Sequence, residues 1–175
     1  MSVHRIETTH LLPMPRDEAW RFFSNPRNLA RITPPEMRFE LTSDVPDEIY
    51  PGLMITYRVR PIFNFAVTWV TEITHVQERE RFVDEQRAGP YAMWHHEHSF
   101  RDAPGGTEMR DIVHYAIPGG PLGDLINERI VAGKVAAIFA HRRRTLEELF
   151  GVLSPESMQA AVGTQRDVAA NGSQF

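Results

Sequence analysis

The segment Trp94-His95-His96-Glu97-His98-Ser99-Phe100 constrains the fold more than any other stretch of the chain. Side chains alternate across a β-strand, so Trp94, His96, His98 and Phe100 share one face of it. Met93, His95, Glu97, Ser99 and Arg101 take the other. The face with two large aromatics is the inward one, and it carries two histidines into the interior. A core does not accept two imidazoles without partners. Whatever this chain folds into must bring polar groups, or a ligand, against that strand.

The surrounding pattern indicates how. Ile6, Thr8, His10 and Leu12 alternate as an opening strand does. Pro15 stands where a first helical residue is favoured, with Asp17 and Glu18 in the first turn and Ala19, Trp20, Phe22 and Phe23 as the apolar face. Asn25-Pro26 breaks this helix, and a second short one over 28–32 ends at Pro34-Pro35. From Met37 the period changes to two. Met37, Phe39 and Leu41 form one strand face, and Ile55, Tyr57 and Val59 another after the Pro51-Gly52 turn. Phe65, Val67, Trp69 and Ile73 follow, then Phe82, the histidine strand, and Met109, Val113, Tyr115 and Ile117. Short connections between consecutive strands imply an antiparallel meander. The longest helical pattern spans about 122–150, with Leu125, Ile126, Ile130, Ala137, Ile138, Leu146 and Leu149 at helical spacing. Strand, two short helices, six strands and one long helix describe an α+β domain. A sheet this long must curl, and only the terminal helix is able to cover it, a packing that leaves a cavity between them.

The 175 residues suit one domain over 1–153, and the Gln, Ala, Gly, Asn and Ser of 154–175 read as a mobile tail. No cysteine is present, which excludes disulfides and thiolate metal sites. A net charge of -4 with interspersed signs argues against a nucleic-acid partner. The basic run Arg142-Arg143-Arg144 reads as the C-terminal half of a helix favoured by the macrodipole. No apolar run approaches membrane-spanning length and no secretory signal opens the chain, so membrane insertion is not expected and the cytoplasm is the expected compartment.

The order of elements resembles the START-like superfamily of polyketide cyclases, dehydrases and lipid-transport proteins (SRPBCC), in an uncharacterised bacterial branch. Leu12-Pro13-Met14-Pro15 leading into Ala19-Trp20 carries the resemblance. So does the stretch from Phe82-Val83-Asp84-Glu85-Gln86 through Gly89-Pro90-Tyr91 to Trp94 and Phe100. The resemblance covers roughly residues 3–150 and implies a helix-grip fold, a curved antiparallel sheet wrapped around the long helix, with a hydrophobic-ligand cavity. It implies no reaction, because members include carriers, receptors and enzymes.

Hairpin geometry locates the partners of the histidines. With Gly89-Pro90-Tyr91 as a three-residue loop, Asp84 falls opposite His96 and Gln86 opposite Trp94. With Ala103 to Gly106 as a four-residue loop, His98 falls opposite Asp111 and Trp94 opposite Tyr115. Two carboxylate–imidazole pairs are thus expected side by side on the concave face. Three readings compete. The first is a satisfied polar network completed by Gln86 and Tyr115. In the second, Trp69, Asp84, Gln86, Trp94, His96, His98, Phe100, Asp111, Val113 and Tyr115 line a site for a small hydrophobic or amphipathic guest, lipid-like or polyketide-like. The third is cofactor-free chemistry, a cyclase, dehydratase or hydrolase with His96 or His98 as general acid or base, supported by Asp84 or Asp111. No metal or other cofactor is expected, because both carboxylates already have imidazole partners. His95 and His114 point outward, His75 and His141 face solvent, Arg58 and Arg60 are solvated, and Gly119-Gly120 reads as a helix entry turn.

Overall fold

The computed structural model describes residues 2–60 and 65–153; the tail expected over 154–175 lies outside them. Seven strands run in order: β1 (His4–Leu12), β2 (Glu40–Leu41), β3 (Met54–Val59), β4 (Val67–Gln77), β5 (Arg81–Ala88), β6 (Met93–Ala103) and β7 (Gly106–Ala116). They form one sheet in the spatial order β1-β7-β6-β5-β4-β3-β2, with antiparallel neighbours throughout. Helix α1 (Arg16–Phe23) and two 3-10 turns (Pro26–Ile32 and Pro35–Met37) fill the connection from β1 to β2. After β7 come α2 (Gly120–Ile126), a π turn (Asn127–Val131) and α3 (Ala132–Phe150). This is the expected α+β helix-grip architecture.

Local sequence accounts for the corners. Pro15 occupies the N-cap of α1 rather than its first turn, and Arg21 closes the last turn. Asn25 caps the first 3-10 turn by accepting from the Arg27 N–H at 3.0 Å. This turn replaces the second α-helix expected there, and Met37 belongs to the second 3-10 turn, which leaves β2 only two residues. At the β6–β7 turn Gly106 is required, because a Cβ there would lie 2.0 Å from the Leu12 carbonyl oxygen. The turn thus packs against the end of β1, where Thr107 Oγ1 donates to the Met14 carbonyl at 2.8 Å.

Irregularities in register, between Val70 and Thr71 and between Ile73 and His75, interrupt the pairing of β4 with β5. Bulges bend the strand and raise its twist, which curls the sheet around α3. One end of the interior is solid. Trp20 stands edge-on to Phe82 and Phe100 at 5.9 and 5.7 Å, and Phe23 lies 5.6 Å from Phe100. Met109 and Leu146 complete that cluster. Val131 of the π turn and Val135 and Phe139 of α3 pack with Val113 and Tyr115 of β7 and with Ile117 just beyond it.

The final helix differs from its expected course in two ways. Gly123, Asn127, Val131, Val135 and Phe139 are all buried, a run of four-residue steps. An α-helix drifts off-face under such a run because its period is 3.6. The π turn widens one turn and returns the stripe to the sheet. Leu125, Ile126, Ala137 and Leu149, expected on the apolar stripe, are exposed. The second difference is Arg142, which follows Phe139 by three residues and precedes Leu146 by four. It occupies a stripe position and is only 7% exposed, whereas Arg143 and Arg144 are exposed as expected. Phe65 departs as well: the β3–β4 ladder ends at Val59–Val67, so Phe65 lies beyond it and is 73% exposed.

Candidate functional site

Strand pairing builds the site. Asp84 sits opposite His96, His98 opposite Asp111, and Trp94 opposite Tyr115, as hairpin geometry requires. The β5–β6 pairing keeps the expected register but stops at Glu85–His95, short of the residues that connect the strands, 89–92. Gln86 therefore does not face Trp94. It pairs with Thr71 on β4, and its amide clamps the loop, donating to the Tyr91 carbonyl at 2.7 Å and accepting from the Tyr91 N–H at 3.2 Å.

The imidazoles and carboxylates do not form two isolated pairs. His96 Nε2 lies 3.0 Å from Asp111 Oδ1, and His98 Nε2 lies 2.8 Å from Asp84 Oδ2, both diagonal to the strand register. The directly facing groups are also close. His98 Nδ1 stands 2.8 Å from Asp111 Oδ1, out of line for a hydrogen bond, and His96 Nδ1 stands 3.5 Å from Asp84 Oδ2. The result is one four-membered cluster. The two rings are 3.7 Å apart, and Phe82 stacks on His98 at 4.1 Å. Two further groups reach Asp111 Oδ2: Arg142 from α3 at 3.6 Å and His10 from β1 at 3.8 Å. The sequence signals for these two were present. His10 alternates inward with Leu12, and Arg142 holds the spacing of the buried stripe.

Burial opposes every charge in this cluster. It raises the carboxyl of Asp111, yet the hydrogen bond from His96 and the close approach of His98, with the charges of His98 and Arg142, hold it well below the ordinary carboxylate range. Burial also works against Asp84, but His96 and His98 bring it below its ordinary value. For His98, burial is outweighed by the adjoining carboxylate of Asp111, by the hydrogen bond it donates to Asp84 and by the charges of both, and its pKa is raised. Burial and the neighbouring His98 lower His96, against the pull of the carboxylates. Burial likewise lowers His10 to about 4, helped by Arg142 and Arg143 and opposed by Asp111. Within one cluster the two carboxylates thus meet an imidazole whose protonation is favoured, one whose protonation is disfavoured, and the Arg142 guanidinium.

A cavity of about 160 Å³ lies between the sheet and α3. Its apolar walls include Phe22, Phe23, Leu29, Ile55, Trp69 and Trp94, and Asp84, His96, His98 and Arg142 also line it. Of the residues expected from sequence to form a guest site, Trp69, Asp84, Trp94, His96 and His98 meet there. Gln86 belongs to the loop clamp, Phe100 to the solid aromatic end, and Val113 and Tyr115 to the packing against α3; Asp111 supports the histidines from outside the lining. Tyr57 also lines the cavity and donates to Thr71 Oγ1, with burial raising its hydroxyl pKa. Two donors on residues of the wall, Trp69 Nε1 and Arg142 Nε, have no hydrogen-bond partner among the described residues. Among the described residues, no helix is long and apolar enough to cross a membrane.

No family model and no curated protein matches the sequence. Solved structures do match the fold. A protein from Chromobacterium violaceum aligns over 84% of this chain and 96% of its own, at 14% identity and a TM-score of 0.64. An uncharacterised protein from Rhizobium leguminosarum covers the same shares at 13% identity and a TM-score of 0.61. Ara h 8.0201 aligns over 84% of this chain and 99% of its own, at 16% identity and a TM-score of 0.55. At these identities the likeness is one of fold, and it is the Bet v 1-like helix grip that the START-like resemblance implies.

Proposed function

We propose that the protein binds one small molecule in the cavity, with an apolar body the size of a single aromatic ring and an oxygen-bearing head at the Asp84–His96–His98–Arg142 end. The supporting observation is the two-part wall: aromatic and aliphatic over most of its surface, charged at one end. Volume narrows the guest. A dry cavity of about 150 Å³ accepts benzene, whereas drug-sized ligands occupy about 300–1,000 Å³. At about 160 Å³ the space matches one ring, and a lipid or polyketide chain would require the walls to part. Chemistry narrows the head. Trp69 Nε1 and Arg142 Nε are donors without hydrogen-bond partners among the described residues, and a buried donor is stabilised by an acceptor oxygen.

Native mass spectrometry of the purified protein for a co-purified guest, followed by calorimetric titration with benzoate and toluene, tests this. Benzoate should bind more tightly than toluene. Trp69→Phe, which keeps an aromatic wall and removes the N–H, should weaken benzoate about fivefold to tenfold, the cost of one hydrogen bond. Absence of both a co-purified guest and probe binding would overturn the proposal.

A further inference from the structure

The ring nitrogens of the cluster divide between the two carboxylates. Asp111, outside the cavity lining, meets His96 Nε2 and His98 Nδ1 at 3.0 and 2.8 Å. Asp84, on the lining, meets the opposite nitrogen of each ring, His98 Nε2 at 2.8 Å and His96 Nδ1 at 3.5 Å. When a neutral His96 donates its Nε2–H to Asp111, its Nδ1 carries only a lone pair. That lone pair faces Asp84 Oδ2, so two acceptors oppose each other in a buried place. A cation between them relieves this.

We propose that Asp84 Oδ2, His96 Nδ1 and His98 Nε2 bind one divalent transition-metal ion, zinc or ferrous iron, at the polar end of the cavity. These three atoms lie within 4.8 Å of one another. Metal–donor bonds of about 2.0–2.2 Å place neighbouring ligand atoms about 3–3.5 Å apart; the 3.5 Å separation already falls there, and the 2.8 Å one needs to open by only a few tenths of an ångström. Two imidazoles and one carboxylate form the ligand set of catalytic zinc and non-haem iron, which keep positions open for water or substrate. Here the open side is the cavity, since all three ligands line it.

The surroundings strengthen the assignment. A metal-bound histidine is ordinarily fixed by a carboxylate on its other nitrogen; Asp111 hydrogen-bonds His96 Nε2 in that way and stands 2.8 Å from the Nδ1 of His98. The expectation of no metal rested on both carboxylates being engaged by imidazoles. Each imidazole has two nitrogens, however, and the structure gives Asp111 one from each ring, leaving the other two beside Asp84. Charge gives a second indication. Two carboxylates, the Arg142 guanidinium and a divalent ion sum to one positive charge, which a hydroxide or the anionic oxygen of a guest would neutralise. The metal site does not depend on the one-ring guest, because its ligands are all side chains of this chain.

The test uses the full-length protein, stripped with a chelator and titrated with Zn(II), with Co(II) as a spectroscopic substitute. One equivalent should bind, raise Tm and, for Co(II), give the visible absorption of a nitrogen–oxygen site. His98→Gln and Asp84→Asn should each abolish all three signals, and Asp111→Asn should weaken affinity about 10–100-fold. His95→Ala, on the outer face beside His114, should change nothing. If His98→Gln fails to fold, Asp84→Asn carries the test, since Asp84 is the most exposed of the three ligands. Absence of binding to the native protein, its survival in Asp84→Asn, or its loss in His95→Ala would each overturn the proposal.

Discussion

Strands β5 and β6 carry the same contact twice, once on each face. Inside, His98 Nε2 meets Asp84 Oδ2 at 2.8 Å; outside, His95 Nδ1 meets Glu85 Oε1 at 2.8 Å. The carboxylates are adjacent in sequence, the histidines three positions apart, and the distances are equal, yet the environments are opposite. The outer side chains are 40% and 29% exposed, and Arg87 also reaches Glu85 at 3.0 Å. The inner pair is enclosed by Phe82, His96 and α3, and it is tied through His98 to the almost inaccessible Asp111. Distance alone therefore says nothing about energy. In water the charges of such a pair are solvated whether or not they meet, whereas in the interior each must find its counterion or be neutralised.

The largest effect should come from breaking the inner set at its centre. Asp111→Asn leaves the volume but removes the negative charge that faces His98, His10 and Arg142. Removing one partner of a buried pair costs about 3–5 kcal/mol, so chemical denaturation at pH 7 should show a loss of that order. A loss below about 1 kcal/mol would mean that the cluster is hydrated and that its two faces differ less than their burial implies.

Acid should sharpen the difference next. His10 is held at about 4, against an ordinary value near 6.5. Between those two pH values the unfolded chain binds a proton that the folded chain refuses. Stability is thus intact above about pH 6.5 and falls as pH is lowered toward 4. A tenfold change in proton affinity is worth about 1.4 kcal/mol, so His10 contributes a loss of about 3 kcal/mol across that window. Asp111 on β7 partly counters this, and Arg142 and Arg143 on α3 add to it. Denaturation at pH 7 and pH 4.5 should show a steep decline for the native protein and a shallower one for His10→Gln. Equal slopes would place the acid sensitivity elsewhere, with His96 the next candidate because burial lowers it as well.

The fold and half of the site were legible because they rest on period-two patterning and turn lengths. Asp84 opposite His96 and His98 opposite Asp111 follow from counting residues across two hairpins, and both registers stand. What escaped was three-dimensional. The diagonal hydrogen bonds depend on how the rings lean across the strands, which register does not specify. Arg142 was hidden by its neighbours Arg143 and Arg144, which made a stripe residue look like part of a solvated run. The π turn was hidden because the expected apolar stripe passed through Leu125 and Ile126, although the buried positions are Gly123 and Asn127. Phe65 shows the opposite error, an apolar residue that patterning assigned to a strand that begins two positions later.

The smallest effect is expected on the outer face, and it bears on the comparison as directly as the largest. Glu85→Gln removes one charge from a contact as short as the inner one. Exposed pairs are worth about 0.2–1 kcal/mol and are screened by salt. The loss should therefore fall within that range in dilute buffer and shrink further in molar salt. Arg87 retains Glu72 as a partner, so the substitution leaves no cation stranded. Asp111→Asn should respond little to the same salt, because its partners are buried and counterions do not reach them. If both substitutions cost the same, or if salt weakened them equally, burial would not be what separates the two faces. A cost above about 2 kcal/mol for Glu85→Gln would have a different meaning: the groove that Glu85 lines with Arg87, His95 and His114 would be covered in solution, and the outer face would itself be an interface.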